Sequence, residues 1–167
     1  MQPNKAYTTL VCCIKKVTKK YRYIYRYNNI IQHMKSKGSI DIYNTIYPID
    51  FMVASNSIKL VDLQKLLQYS DKTELNADIL KGDATTTACF NKKTKKYCIL
   101  VKCNITKDKS TSLSLLVDVA AHEAVHVCCD TYQYIGSDIP VKYTLQEPFA
   151  YLCGYVTKCI FNTMCKK

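Results

Sequence analysis

The sequence feature that most constrains the fold is a long run, from Leu113 to Ile135, that contains neither Gly nor Pro. Its apolar residues recur at helical spacing, so the run predicts a single long helix. Ser110 or Thr111 can cap the first turn, and Gly136 follows the last residue as a stop signal. The rest of the chain is expected to pack against this helix.

Within this predicted helix, residues 122–126 read HEAVH. Positions four apart share one face of a helix, so His122 and His126 can present two imidazoles to one metal ion. Glu123 lies about 100° further round the helix, close to such an ion but not needed as its ligand. A carboxylate at that place can take a proton from water activated by zinc. The pattern therefore predicts two zinc ligands and a general base.

A catalytic zinc site needs a third protein ligand. Asp130 is a poor candidate, because on a straight helix its Cα lies about 12 Å from that of His122. Cys129 shares the histidine face but also continues along the axis, away from the site. Glu147 is better placed, since it lies at the start of a second predicted helix, after a loop able to fold it back.

The motif H-E-x-x-H, followed by Glu147 at the start of a helix, resembles the gluzincin branch of zinc metallopeptidases. The resemblance implies one Zn²⁺ per chain, held by His122, His126 and Glu147, with Glu123 as the catalytic base. It also implies a peptide or protein substrate. The segment EPFAYLCGYV, residues 147–156, is similar to the C-terminal helix of small H-E-x-x-H proteins of bacteriophages and mobile elements. Assembly partners from such elements are therefore a further expectation.

The resemblance covers residues from about 84 to 165 and departs from the gluzincin pattern in one respect. Gluzincins often carry an acidic residue shortly after the ligand Glu, and it orients a ligand His; here Tyr151 occupies the position one turn on. Asp118, one turn before His122, and a backbone carbonyl are the candidates for that role. A plain position on the helix surface is the simpler explanation of Asp118.

Two functions follow from this reading. A pattern with three fixed positions also arises by chance on amphipathic helices. Chance is disfavoured here because both residue types are scarce in this chain. It has three His and three Glu, and HEAVH contains two of the His and one of the Glu. The predicted function is hydrolysis of peptide bonds by a zinc metallopeptidase. The alternative is a structural or assembly protein of a phage or mobile element, with a zincin-like fold and a structural or vestigial zinc site.

The remaining patterns predict an α+β fold, in which a short, mostly antiparallel sheet packs on the HEAVH helix and a C-terminal helix. We expect one zincin-like domain over residues 1–167, with an N-terminal α/β portion at 1–83 and a hairpin plus two helices at 84–167. The strand-like runs are Tyr7–Ile14, which could also be a short buried element, 21–27, Ile40–Ala54 with a break at Pro48, Ala84–Phe90 and Tyr97–Ile105. The other helical runs are Asn28–Ser36, Ile58–Tyr69 and about 145–165.

Zincins of this type bind their substrate as an extra strand along a sheet edge beside the zinc helix, which is a form of β-augmentation. In this sequence, either Ala84–Phe90 or Tyr97–Ile105 would supply that edge. The second run is the more hydrophobic of the two and leads directly into the HEAVH helix.

The charge balance suggests a further alternative. The chain has 24 Lys and Arg against 13 Asp and Glu, a formal charge of +11, which favours attraction to nucleic acid or acidic partners. Tyrosines and arginines alternate over residues 21–27 and could stack bases and hold phosphates. A half-exposed strand is the simpler explanation of that pattern, and an AT-rich genome also produces lysine-rich chains.

No secretory signal and no apolar run of membrane length are visible in the sequence. We therefore expect no membrane partner and a cytoplasmic location, in a bacterial host or a phage virion. In such a reducing setting the ten cysteines are expected to be thiols. They include no C-x-x-C pair, so most are expected to act as small buried apolar residues.

Overall fold

The computed structural model describes residues 34–35, 40–139 and 146–166 of the chain. These residues form a mixed sheet with helices on both faces. The strands are β1 (Met34–Lys35), β2 (Ile40–Tyr43), β3 (Asp50–Ala54), β4 (Leu67–Tyr69), β5 (Ala84–Asn91) and β6 (Lys96–Cys103); the helices are α1 (Leu60–Leu66), α2 (Leu113–Tyr134) and α3 (Glu147–Met164), with a 3₁₀ helix at Ala77–Leu80.

The strands are arranged in the order β1-β2-β3-β6-β5-β4. Among these described strands, β3 and β6 pair in parallel, with Val53 opposite Val101, and the other neighbours pair antiparallel. Strand β6 lies inside the sheet and is buried from Cys98 to Cys103. Burial on both faces explains why this strand is an almost continuous apolar run in the sequence. The predicted α+β class is confirmed.

Alternating side chains of the central strands point to opposite faces of the sheet and build two cores. On one face, Phe51 and Val101 belong to a core that is completed by helices α2 and α3. On the other face, Met52 and Leu100 pack with α1, β4 and the 3₁₀ helix. Because the larger of these cores includes both long helices, the orientation of α2 is set by the sheet.

Helices α2 and α3 run antiparallel to each other. The ring of Phe149, near the start of α3, lies 5.3 Å from that of Tyr132, near the end of α2. One turn earlier on α2, the thiol of Cys128 interacts with that of Cys153, one turn further along α3. These two contacts fix which turns of the helices lie side by side.

The cap of α2 differs from the one predicted. The hydroxyl of Ser112 accepts a hydrogen bond from the Leu115 backbone N–H at 3.1 Å. Ser110 and Thr111 are not available as caps, because their hydroxyls both donate to the Asp108 carboxylate. These bonds, and those from the Ser110 and Thr111 backbone N–H groups, lower the pKa of Asp108 to about 2. The helix stops as predicted before Gly136, whose φ is +66°.

Two other predicted helices are also modified. The run Ile58–Tyr69 is helical only at Leu60–Leu66, because its last three residues form β4 and bury Leu67 against the sheet. In the predicted helix at 28–36, Met34–Lys35 pair with β2 as a strand, and the rest lies outside the described residues. The strand-like runs predicted at Tyr7–Ile14 and 21–27 also lie outside them.

Two general expectations about the chain are addressed by the described residues. No helix among them is both long and apolar enough to cross a bilayer. Five of their eight cysteines are buried, which confirms the expectation that most cysteines of this part of the chain act as small apolar residues: Cys89, Cys98, Cys103, Cys128 and Cys159.

The packing of α2 on the sheet can be tested with two leucines of one turn. Leu116 is fully buried, whereas Leu113 is 52% exposed. We expect Leu116→Ala to lower the free energy of unfolding by about 2–5 kcal/mol, because it removes buried methyl groups and leaves a cavity. The matched Leu113→Ala change should cost about 0.5 kcal/mol or less. Chemical denaturation measures both, and equal losses would contradict the observed orientation of α2.

Candidate metal centre

The two histidines of HEAVH converge on one point in front of α2. Both side chains are exposed, and their Nε2 atoms lie 3.1 Å apart. Two nitrogen ligands about 2.0–2.1 Å from a tetrahedral zinc are separated by about 3.3 Å, so the pair fits such an ion. The same separation suits an N–H···N hydrogen bond between neutral rings, in which one ring donates and the other accepts. The structure therefore brings together two of the three predicted ligands.

Glu123 points in a different direction, into the seam between α2 and the sheet. Its side chain is only 6% exposed. The hydroxyl of Thr86, on β5, donates to its Oε2 atom at 2.6 Å. Since successive residues of a helix are about 100° apart, Glu123 faces β5 while both histidines face outward. The carboxylate is thus anchored at one side of the histidine pair.

Strand β5 is only partly covered on its outer side. Strand β4 pairs with Cys89–Asn91, and the Ser70 backbone N–H donates to the Ala88 carbonyl. No backbone hydrogen bond from another described segment reaches residues 84–87 on that side. Strand β6 has neighbours on both sides and offers no edge. Of the two runs predicted to supply an edge, Ala84–Phe90 is the one with an open stretch, and this stretch includes Thr86.

Glu147, the predicted third ligand, is the first residue of α3 and is exposed. Phe149 contacts Tyr132, which lies six residues beyond His126, or about 9 Å along the axis of α2. Glu147 therefore starts α3 beside the last turn of α2. Among the described residues, no three His, Cys, Asp or Glu side chains are grouped closely enough to hold a metal ion. The ligand role of Glu147 stays a prediction.

The two residues predicted to support the ligands lie on helix surfaces. Asp118 is exposed on α2, one turn before His122. Tyr151 is 71% exposed on α3. Within the described part of the chain, neither side chain makes a hydrogen bond to His122 or His126. Their predicted roles as supports of the histidines are therefore not visible in these contacts.

Asp130 is a neighbour of the histidine pair. Its distance from His122 along the helix makes it a poor candidate for a third ligand. It lies one turn after His126 and is partly buried. Burial raises the pKa of its carboxyl group above 3.8, and the interaction with His126 acts in the opposite direction. Asp130 thus extends the polar face of α2 beyond the histidines without sharing their point of convergence.

Sequence reasoning did not identify Thr86 as part of this site. Its strand was predicted, and alternation alone places Thr86 on one of the two faces of that strand. Which residue of α2 it meets depends on the packing of the helix on the sheet, which the sequence pattern does not contain. Comparisons of the chain with protein families, with curated proteins and with solved structures gave no match.

The contact between Thr86 and Glu123 predicts a measurable coupling. Thr86→Val keeps the shape of the side chain but removes the donor, so we expect the free energy of unfolding to fall by about 1–3 kcal/mol. Thr87→Val is the matched control, because the next residue of the strand points to the other face. In a Glu123→Met background the Thr86 change should cost much less, and chemical denaturation of the four proteins gives the coupling energy. Equal losses in both backgrounds would contradict the contact.

Proposed function

We propose that this protein is a zinc-dependent metallopeptidase. The observation that carries the proposal is the convergence of the His122 and His126 Nε2 atoms at 3.1 Å, beside a buried glutamate of the same helix. A hydrogen bond between neutral rings would also give this separation, so the support for zinc comes from the combination of the paired imidazoles with the intervening Glu123, which is anchored to a strand beside them. The HEAVH spacing and the geometry point to the same chemistry.

The proposed metal ligands are His122 and His126, with Glu147 as the third. Zinc, when bound, polarises a peptide carbonyl and lowers the pKa of water to about 7. Glu147 would reach the histidines only if the start of α3 approached them more closely than its contact with Tyr132 allows.

Glu123 is the proposed general base. It takes a proton from the attacking water and passes it to the leaving amine. The Thr86 hydroxyl holds one of its carboxylate oxygens at 2.6 Å and so limits the directions in which the carboxylate can turn. Thr86 is a positioning residue in this proposal, because it acts through Glu123.

The open stretch of β5 is the proposed docking edge for the substrate backbone. The Ala88 carbonyl points outward, since it accepts a hydrogen bond from Ser70. Backbone groups of alternate residues in an antiparallel strand point the same way, so those of Thr86 and Ala84 also face outward. A peptide bound there in extended conformation would run past Glu123, which Thr86 anchors.

Metal content tests the ligand set. We expect about one zinc per chain in protein purified without chelator and supplied with the metal. His122→Ala, His126→Ala and Glu147→Ala should each lose or weaken this binding, because each removes a donor atom. His33→Ala is the matched control, since His33 is the remaining histidine of the chain. Elemental mass spectrometry gives the ratio, and zinc retained in both HEAVH histidine variants would refute the site.

Peptide hydrolysis tests the role of Glu123. We expect Glu123→Gln to retain zinc and to lower turnover by about 10²–10⁴-fold, because the amide cannot accept the proton. Glu74→Gln is the control, since Glu74 is exposed and lies outside the HEAVH segment. Both variants are compared with the unaltered protein on a peptide library read by mass spectrometry. Undiminished cleavage by Glu123→Gln would rule out the proposed base.

A structural or assembly protein is the second candidate, and one observation favours it. Within the described residues no third ligand is grouped with the histidines. A vestigial or decayed zinc site would lack a third ligand in the same way. This candidate predicts no zinc in the metal analysis and a stable complex with protein or nucleic-acid partners. Zinc binding with glutamate-dependent hydrolysis would exclude it.

A further inference from the structure

A cleft of about 260 Å³ opens beside the C-terminal half of α2. Its walls come from α2, β5, β6 and Ser70. The Ser70 backbone N–H bonds to the Ala88 carbonyl, and the open stretch of β5 ends there. Ala88, at the cleft, lies two residues along β5 from Thr86 and on the same face, a distance of about 7 Å. The cleft is therefore close to Glu123 and separate from the point where the histidines converge.

The cleft contains one carboxylate without a cationic partner. Asp130 lines it and is partly buried. No Lys or Arg of the described residues forms an ion pair with it within 4.0 Å. Its charge interacts with His126, one turn away, and burial raises the pKa of the carboxyl group. A carboxylate in such surroundings is best stabilised by a cation that also donates hydrogen bonds.

Two tyrosines supply the apolar walls of the cleft. The rings of Tyr97 and Tyr134 lie 6.3 Å apart with an interplanar angle of 53°. Both side chains are more than 40% exposed, and the Tyr97 ring also contacts that of Phe90, at 5.4 Å between centroids. Open tyrosine rings beside a carboxylate suit the aliphatic stem and the charged end of a lysine or arginine side chain.

The charge of α2 supports the same ligand. The chain has a formal charge of +11, yet Leu113–Tyr134 contains no Lys or Arg and carries the three carboxylates of Asp118, Glu123 and Asp130. This helix therefore carries only acidic charges on a basic protein, but the three carboxylates point in different directions, and Asp130 is the one that lines the cleft. Asp130 therefore supplies the attraction for a cation inside the cleft.

We propose that the cleft binds a lysine or arginine side chain of the peptide substrate, with Asp130 as the charge partner and Tyr97 and Tyr134 as the walls. The role of this cleft as a specificity pocket rests on the proposed peptidase function. The affinity of the cleft for a cationic side chain is independent of that function, since binding is measured without turnover. Asp130 is a specificity-determining residue here and takes no part in the proton transfer.

The test uses two probes that share their backbone and differ at the side-chain end. N-acetyl-arginine methylamide carries the cation, and N-acetyl-norleucine methylamide is the neutral comparison. We expect the zinc-supplied full-length protein to bind the arginine probe about tenfold or more tightly, with NMR shift changes at Tyr97 and Tyr134. Asp130→Asn should remove this preference, and the exposed Asp138→Asn control should keep it.

Equal affinities for the two probes would overturn the proposal, as would a preference that survives Asp130→Asn or no measurable binding of either probe. Tyr134→Leu gives a second test that leaves the carboxylate in place. It should lower the affinity of the protein for the arginine probe several-fold. Unchanged zinc content in Asp130→Asn is expected, and loss of zinc there would assign Asp130 to the metal centre instead.

Failure of the cleft and failure of the peptidase proposal have different signatures. Peptides cleaved with no preference for nearby Lys or Arg would overturn the cleft and leave the peptidase intact. A cationic probe bound at Asp130 in a protein that hydrolyses no peptide would support the cleft and contradict the peptidase.

Discussion

The packing of α2 on the central sheet is the constraint on which the site depends. Leu116 and Ala120 are fully buried in the core on this face of the sheet, and that seam fixes the rotation of the helix about its axis. Given this rotation, His122 and His126 face outward while Glu123 faces β5. A rotation by a single residue, about 100°, would in one direction turn His122 and His126 into buried positions and in the other turn Glu123 out to an exposed one.

Sheet topology has a second consequence for the site. The parallel pairing of β3 with β6 requires a long crossover, and α1, β4 and β5 are contained within it. This arrangement places β6 inside the sheet and β5 between β6 and the short β4. Because β4 covers only the end of β5, no described strand pairs with residues 84–87 on the side next to Glu123. The candidate docking edge is thus a product of this connection, and it lies beside the helix that carries the candidate metal centre.

The charges of the molecule are unevenly distributed in a way that fits a cation-binding function. Several lysines lie in the turn between β5 and β6, which lies just before Tyr97 of the cleft. Helix α2 has carboxylates and histidines but no Lys or Arg. These groups can attract a metal ion or a basic side chain locally, whereas the net charge of the chain favours neither.

The sequence by itself determined the α+β class, the extent of α2, the hairpin and the positions of His122 and His126, because hydrophobic periodicity and i,i+4 spacing are local properties. It did not determine that Thr86 anchors Glu123, that β5 rather than β6 has an open side, or that Asp130 lies in a cleft with Tyr97 and Tyr134. These contacts join residues far apart in sequence, and strand order and helix rotation decide them. The position of Glu147 illustrates the same limit. Spacing predicted a third ligand, but the neighbours of an exposed residue at a helix start depend on how α3 lies against α2.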